Sequence, residues 1–134
     1  MSISIYAANK ILDRGFGTTA WTPTATFYFG LSTTAPSSDG TNVTEPSGGS
    51  YARIGVTNNK TNFAVASAAA LDNLTAITFV ESSGSWGTIT YVVIYDALTS
   101  GNLLYYDALS PSKTIQTATT VLFAIGSVTI SMTN

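Results

Sequence analysis

From Thr24 onward apolar residues recur at every second position, and this period of two constrains the fold of the chain more than any other feature. Phe27, Phe29 and Leu31 alternate with Thr26, Tyr28 and Gly30, the pattern of a strand with one face buried. Ala52, Ile54 and Val56 alternate in the same way with Tyr51, Arg53 and Gly55, and the segment Thr75 to Val80 carries Ile77 and Phe79. Trp86 to Tyr95 is the strongest case. It sets Ile89, Tyr91, Val93 and Tyr95 on one face against Thr88, Thr90, Val92 and Ile94 on the other. Both faces turn apolar towards its end, as in a central strand. Asp96 to Asn102 then reads as a turn, with Gly101 free to take positive φ, and Leu103 to Leu109 as the returning hairpin partner. Thr120 to Ile125 and the set Val128, Ile130 and Met132 are expected to pair with each other around Gly126. No helical segment lies between the strands, which disfavours a doubly wound α/β fold. The expectation is an all-β chain, an antiparallel β-sandwich or barrel of about seven or eight short strands with one short N-terminal helix.

That helix is placed in residues 1–15, where Ile5, Ala8, Ile11 and Leu12 form one apolar stripe. Ser2 or Ser4 can cap its start, Lys10 and Arg14 lie near its end, and Gly15 stands where a left-handed C′ residue is wanted. A helix of this length is marginal alone in water, so the stripe must dock. Residues 24–134 form the β body, and 134 residues leave room for a single domain, 1–134. Two stretches do not follow the alternation. Thr33 to Ser50, with Pro36, Asp39, Gly40, Asn42, Glu45, Pro46, Gly48 and Gly49, reads as a long surface loop of the kind that carries function. Phe63 to Leu74, rich in alanine, is open between a helical turn and an extended arm.

Composition narrows the chemistry. Only 9% of residues are charged, with a net charge of −2, against about 25% charged in ordinary soluble domains. A surface so weakly charged tends to associate, which an assembly component tolerates better than a free enzyme does. The chain has no cysteine, hence no disulfide or thiolate metal site, and no histidine, the usual general base and metal ligand. Lys10, Arg14, Arg53, Lys60 and Lys113 are scattered singly, so no basic cluster tracks phosphates and nucleic-acid binding is not expected. No run approaches 18 apolar residues and the first residues have no basic start before an apolar core, so neither a membrane span nor a signal peptide is expected.

Motifs with catalytic or metal-binding chemistry are weak. Asp39 to Glu45 places oxygen donors on a glycine-bearing loop but does not match calcium-loop spacing, and an Asx-turn accounts for it better. Asp96 and Asp107 flank the expected hairpin, and two carboxylates are the minimum of a glycosidase; turn formation at Asp96 and solvent exposure at Asp107 explain them better. Gly84-Ser85-Trp86-Gly87 lacks nucleophile-elbow spacing, and Gly48-Gly49-Ser50 lacks the P-loop lysine. No catalytic, cofactor-binding or metal-binding residue is assigned, and no cofactor is expected. Trp86, at a loop-to-strand junction, can anchor a partner or cap one end of the core with its indole N–H bonded. Trp21, between helix and first strand, is the better interface candidate.

Several stretches resemble, in order, a set of small phage structural proteins. They begin with Ser2-Ile3-Ser4-Ile5-Tyr6-Ala7-Ala8-Asn9-Lys10-Ile11-Leu12-Asp13 and continue with Gly30-Leu31-Ser32-Thr33-Thr34-Ala35-Pro36 and Asp39-Gly40. Thr44-Glu45-Pro46, Gly48-Gly49-Ser50-Tyr51-Ala52-Arg53 and Gly84-Ser85-Trp86-Gly87-Thr88 follow. Members often carry the label "phage tail fibre protein", and the set is similar to capsid cement (decoration) proteins of tailed phages, including phages of cyanobacteria. The resemblance implies a non-enzymatic virion component made in the host cytoplasm and offers no catalytic residues. The absence of shaft-like repeats favours a cement protein on the capsid surface, partnered by the major capsid protein and by copies of itself, as in a trimer. The alternative is a tail fibre or tail-tip adaptor that meets a host surface receptor. Under either reading the residues expected to meet a partner are Trp21, Pro36, Asp39, Glu45, Tyr51, Arg53 and Trp86. Thr117 to Asn134 is the segment expected to add to a neighbouring sheet edge.

Overall fold

The most strongly alternating segment becomes the spine of the fold. A computed structural model describes residues 1–132. In chain order its elements are β1 (Ser2–Ile3), α1 (Ile5–Phe16), β2 (Thr26–Ser32), β3 (Ile54–Thr57), β4 (Ala70–Asp72), β5 (Ile77–Thr78), β6 (Gly87–Tyr95), β7 (Leu103–Ile115), β8 (Leu122–Phe123) and β9 (Thr129–Ser131). Five of these form one antiparallel sheet in the order β1-β7-β6-β2-β3, with β6 at its centre as its two apolar faces require. β6 and β7 are the expected hairpin, closed by Ser100 and Gly101 at positive φ.

The second layer departs from expectation. β8 and β9 do not pair with each other: β8 pairs with β5 and β9 with β4, both antiparallel. The cause is Asn73, which is buried between β4 and β5. Its amide donates to the carbonyls of Thr75 and Ala124, its side-chain oxygen accepts from the Val128 N–H, and its backbone carbonyl accepts from the Gly126 N–H. The turn around Gly126 is thereby pinned to Asn73, and the chain on either side of it runs along residues 70–82 rather than folding on itself. Phe79 N–H to Val121 O and Ser82 N–H to Thr119 O continue the same ladder.

The main core lies between these layers. Phe29 and Leu31 from β2 and Ile89, Val92 and Ile94 from β6 meet Ile77, Phe79 and Val128 from the second layer. Each such side chain, once buried, contributes about 1.5–3 kcal/mol relative to exposure. The architecture is an open, uneven β-sandwich, not a closed barrel. The alternation of β6 slips once. Its pairing with β7 jumps from Ile89↔Lys113 to Tyr91↔Ala108, and at this irregularity Ile89 joins Val92 and Ile94 in the main core instead of sharing a face with Val93 and Tyr95. Val93, Tyr95 and Leu103 form a smaller cluster on the opposite face of the sheet, with Tyr28, Val43 and Tyr106 packed against it.

The N-terminal segment differs in detail from the expected helix 1–15. Ser2 and Ile3 pair with Tyr106 and Tyr105 at the sheet edge, and Ser4 caps a helix that starts only at Ile5, its hydroxyl accepting from Ala7 N–H at 3.1 Å. The helix passes through Gly15, and the chain turns at Gly17, whose N–H bonds Asp13 O, and at Thr18, which takes φ 58°. The docked face is also different. Ala7 is the buried residue of α1, Ala8 and Ile11 are half-buried, and Ile5 and Leu12 of the expected stripe are more than half exposed. The Ser4 contacts to Leu103 O and Leu104 O anchor only the first turn, and this fixes which face meets the sheet.

Phe63 to Leu74 is neither helix nor free arm but a β-hairpin, with Phe63 bridged to Asn73 and Ser67 to Ala70. Ala68 and Ala69 form its two-residue turn at φ 51° and 59°. Residues 33–50 form a loop without strands, as expected, yet one stapled to itself and to β2. Thr33 N–H and Oγ1 both reach Thr44 O, Thr44 N–H bonds Ser32 Oγ, and Ser37 N–H bonds Thr41 O.

Candidate partner-binding surface

The residues expected to meet a partner separate into an interior group and an outer one. Gly30 in β2 has no side chain, and into that space project the carboxylate of Glu45 from the long loop and the phenol of Tyr51. Tyr51 donates to Glu45 Oε1 at 2.7 Å and accepts the Leu31 N–H at 2.8 Å. Arg53 meets the same carboxylate bidentately, Nε at 3.0 Å from Oε1 and Nη2 at 2.6 Å from Oε2. Its Nη1 donates to the carbonyls of Ala97 and Ser100 at 2.8 Å each, and its guanidinium lies 3.5 Å from the centre of the Tyr95 ring. One buried arginine thus joins three pieces of chain: the long loop, the start of β3 and the β6–β7 turn.

Burial pushes the Tyr51 phenol well above its ordinary range, and the neighbouring Glu45 carboxylate adds to the shift. The neutral phenol is the form that donates to Glu45. Burial likewise raises Tyr95, against the opposing pull of the Arg53 cation.

Trp86 belongs to this interior too. It is 3% exposed, stacks edge-on against Tyr51 with ring centres 5.3 Å apart, and donates its indole N–H to Gly49 O at 2.8 Å. Gly49 sits at φ +57°, and a Cβ there would come within 3.0 Å of Gly84 O and Trp86 Nε1, so the close crossing of the two loops requires glycine. Pro36 is buried as well.

Trp21 and Asp39 form the outer group. Asp39 is exposed and makes an Asx-turn, its Oδ1 accepting from Thr41 N–H at 3.0 Å and from Thr41 Oγ1 at 2.7 Å; these bonds hold its carboxyl below the usual range. Trp21 is half-buried and lines a cleft with Tyr6 and Lys10 of α1 and with Tyr105. Thr117 to Asn134, expected to reach a neighbouring sheet, is occupied within the chain from Thr119 to Met132, with Met132 N–H bonded to Ala69 O; Thr133 and Asn134 lie outside the described residues.

Asp96 and Asp107 do not form a pair. Asp96 follows Tyr95 at the end of β6 and Asp107 pairs with Val92, four steps back along the strand, which separates them by about 13 Å at the ordinary rise of a strand. Glycosidase carboxylates lie within roughly 5–9.5 Å of each other. Asp96 instead accepts from Asn102 N–H and Nδ2, and Asp107 faces the Met1 ammonium at 3.7 Å. No cluster among the described residues gathers three or more metal-ligating side chains.

Sequence reasoning misses the Asn73 staple and the cleft that brings Tyr6, Lys10 and Tyr105 together with Asp96, a residue weighed there only as one of two glycosidase carboxylates. Asn73 left no trace, since in Leu71-Asp72-Asn73-Leu74 it stands beside another polar residue and the pair reads as a turn.

The polar side chains described here hold strands and loops to one another, and that is the chemistry of a structural β module. The chain matches the family described as podophage GP4 fiber I protein gp80 over residues 2–131, and it belongs to that family. It is therefore a phage virion structural protein. No curated protein matches the chain.

Proposed function

We propose that this protein is a structural module of a phage fibre, held in the particle by contacts between weakly charged, partly apolar surfaces. The family match over residues 2–131 carries the reading, because the family is that of a podophage fiber protein. The surface supports it. Phe16 is 91% exposed, Val65 78% and Ile125 66%, on a chain with few charges to keep it apart from neighbours. The partners under this reading are other virion proteins and further copies of the chain. The interior positions of Pro36, Arg53 and Trp86 leave Trp21 and the Asp39 loop as the outward members of the expected contact set.

A second reading, a cement protein on the capsid bound to the major capsid protein, is favoured by one observation: the elements among the described residues are strands and one helix of 12 residues, with no extended shaft. The copy number of the protein per purified virion, measured by quantitative mass spectrometry against the major capsid protein, separates the two. A handful of copies in a ratio set by tail symmetry supports the fibre. Hundreds, in a simple ratio to the capsid subunit, would overturn it in favour of cement.

A further inference from the structure

Between α1 and the five-stranded sheet lies a cleft of about 320 Å³, bordered by Trp21. Tyr6 and Lys10, one helical turn apart, line it from α1. Trp21 enters from the connector, Phe27 from β2, Tyr105 from β7 and Asp96 from the turn after β6. All four aromatic residues are half-buried. Phe27 and Tyr105 also pack against the main core, which holds them in place.

The charged groups lining the cleft are one donor, Lys10, and one acceptor, Asp96. Lys10 Nζ lies 5.6 Å from the centre of the Tyr6 ring and forms no ion pair among the described residues. Asp96 is fixed in place by Asn102, at 2.7 Å from the backbone N–H and 2.8 Å from the side-chain amide, and each oxygen keeps a lone pair for a further donor. An aromatic cage for a cationic ligand would not place a lysine in its wall, and a site for an anion would not place an aspartate there. Ring faces combined with a charged donor and a charged acceptor suit a ligand that is apolar on one side and hydroxylated around its rim. A pyranose ring has that chemistry.

We propose that this cleft binds a saccharide, one sugar ring stacking on Trp21 with its hydroxyls donating to Asp96 and accepting from Lys10. The inference rests on the cleft alone and holds wherever in the particle the chain sits, so the copy-number measurement and the binding test fail independently. The test is retention of the purified, fluorescently labelled protein on an array of immobilised bacterial surface oligosaccharides, for the native chain and for Trp21→Ala and Lys10→Met. Both substitutions fall outside the buried core, and an unchanged unfolding temperature confirms that each variant is folded. The native protein is expected to retain a defined subset of glycans, with Trp21→Ala weakening retention roughly tenfold and Lys10→Met weakening it less. No retained glycan, or equal retention by native protein and both variants, overturns the proposal. So does a Trp21→Ala protein that binds glycans normally but fails to enter the particle, which would make the cleft a seat for another virion protein.

Discussion

Gly30 shows how a single missing side chain organises the interior. Mid-strand glycine costs about 0.5–1 kcal/mol relative to alanine, so its presence in β2 calls for a compensating gain. The gain is the space it leaves: a Cβ at this position would stand 2.7 Å from Glu45 Oε1, 3.0 Å from Tyr51 Oη and 3.1 Å from Val93 Cγ2. Gly30→Ala should therefore displace the carboxylate or the phenol and break the bonds of Arg53 and Tyr51 to Glu45. We expect a loss of about 2–3 kcal/mol despite the better strand propensity of alanine, read as a lower denaturant midpoint at unchanged m. A stability equal to or above that of the native chain would show that the group tolerates rearrangement. The stretch Gly30 to Arg53 stood out in the sequence, but as a source of contact residues; that Glu45, Tyr51 and Arg53 turn inward was hidden. Alternation reports which residues share a face of one strand. It does not report which side chain from a distant loop fills the space above a glycine.

At the scale of elements, Asn73 and the Ala68–Ala69 turn test how the second layer is held. Asn73→Ala removes the donors to Thr75 O and Ala124 O and the acceptor of Val128 N–H, leaving buried backbone groups unpaired. A loss of about 3 kcal/mol is expected, with faster amide exchange in β8 and β9 than in β6, since those strands lose their shared anchor. The hairpin turn offers the opposite sign. Two consecutive alanines at positive φ carry a steric cost of roughly 1–2 kcal/mol each, which Asn and Gly relieve. The double variant Ala68→Asn, Ala69→Gly should stabilise the protein by about 1–2 kcal/mol and raise its unfolding temperature. This turn also explains why residues 63–74 could not be assigned from sequence: alanine is a helix former, and nothing in an Ala-rich run announces a two-residue hairpin turn. The strands β2 and β6 and the first half of β7, Leu103 to Leu109, were legible from their alternation, while the continuation of β7 through Pro111 to Ile115 was not. The partner choice of β8 and β9 was not, because two or three residues carry too little pattern to outweigh the apparent turn at Gly126. The docking face of α1 was misread for a related reason: the bonds of the Ser4 hydroxyl and N–H to β7 orient the helix, and the apolar stripe alone does not.

At the scale of the whole molecule, the scarcity of charge leaves stability to burial and backbone pairing, and its pH dependence should show this. Histidine and cysteine are absent, so no side chain has an ordinary titration range between about pH 5.5 and 9. Above that window Tyr51, Tyr95 and Tyr105 are all raised by burial. In the unfolded chain these phenols release their protons near about pH 10, while the folded chain retains them to higher pH. The unfolded state then binds fewer protons than the folded one, so stability falls as pH rises. The contribution of the three phenols is complete below about pH 10 and is lost progressively above it. On the acid side Asp39, lowered by its bonds from Thr41, acts in the reverse sense: its contribution is present above the ordinary carboxylate range and is lost as pH falls. Calorimetric unfolding temperatures should accordingly be level from about pH 6 to 9 and decline beyond about pH 10, with release of phenolic protons visible as rising tyrosinate absorbance through the same transition. A step in stability between pH 6 and 7 would contradict this account, since it would need a titrating side chain that the sequence does not contain.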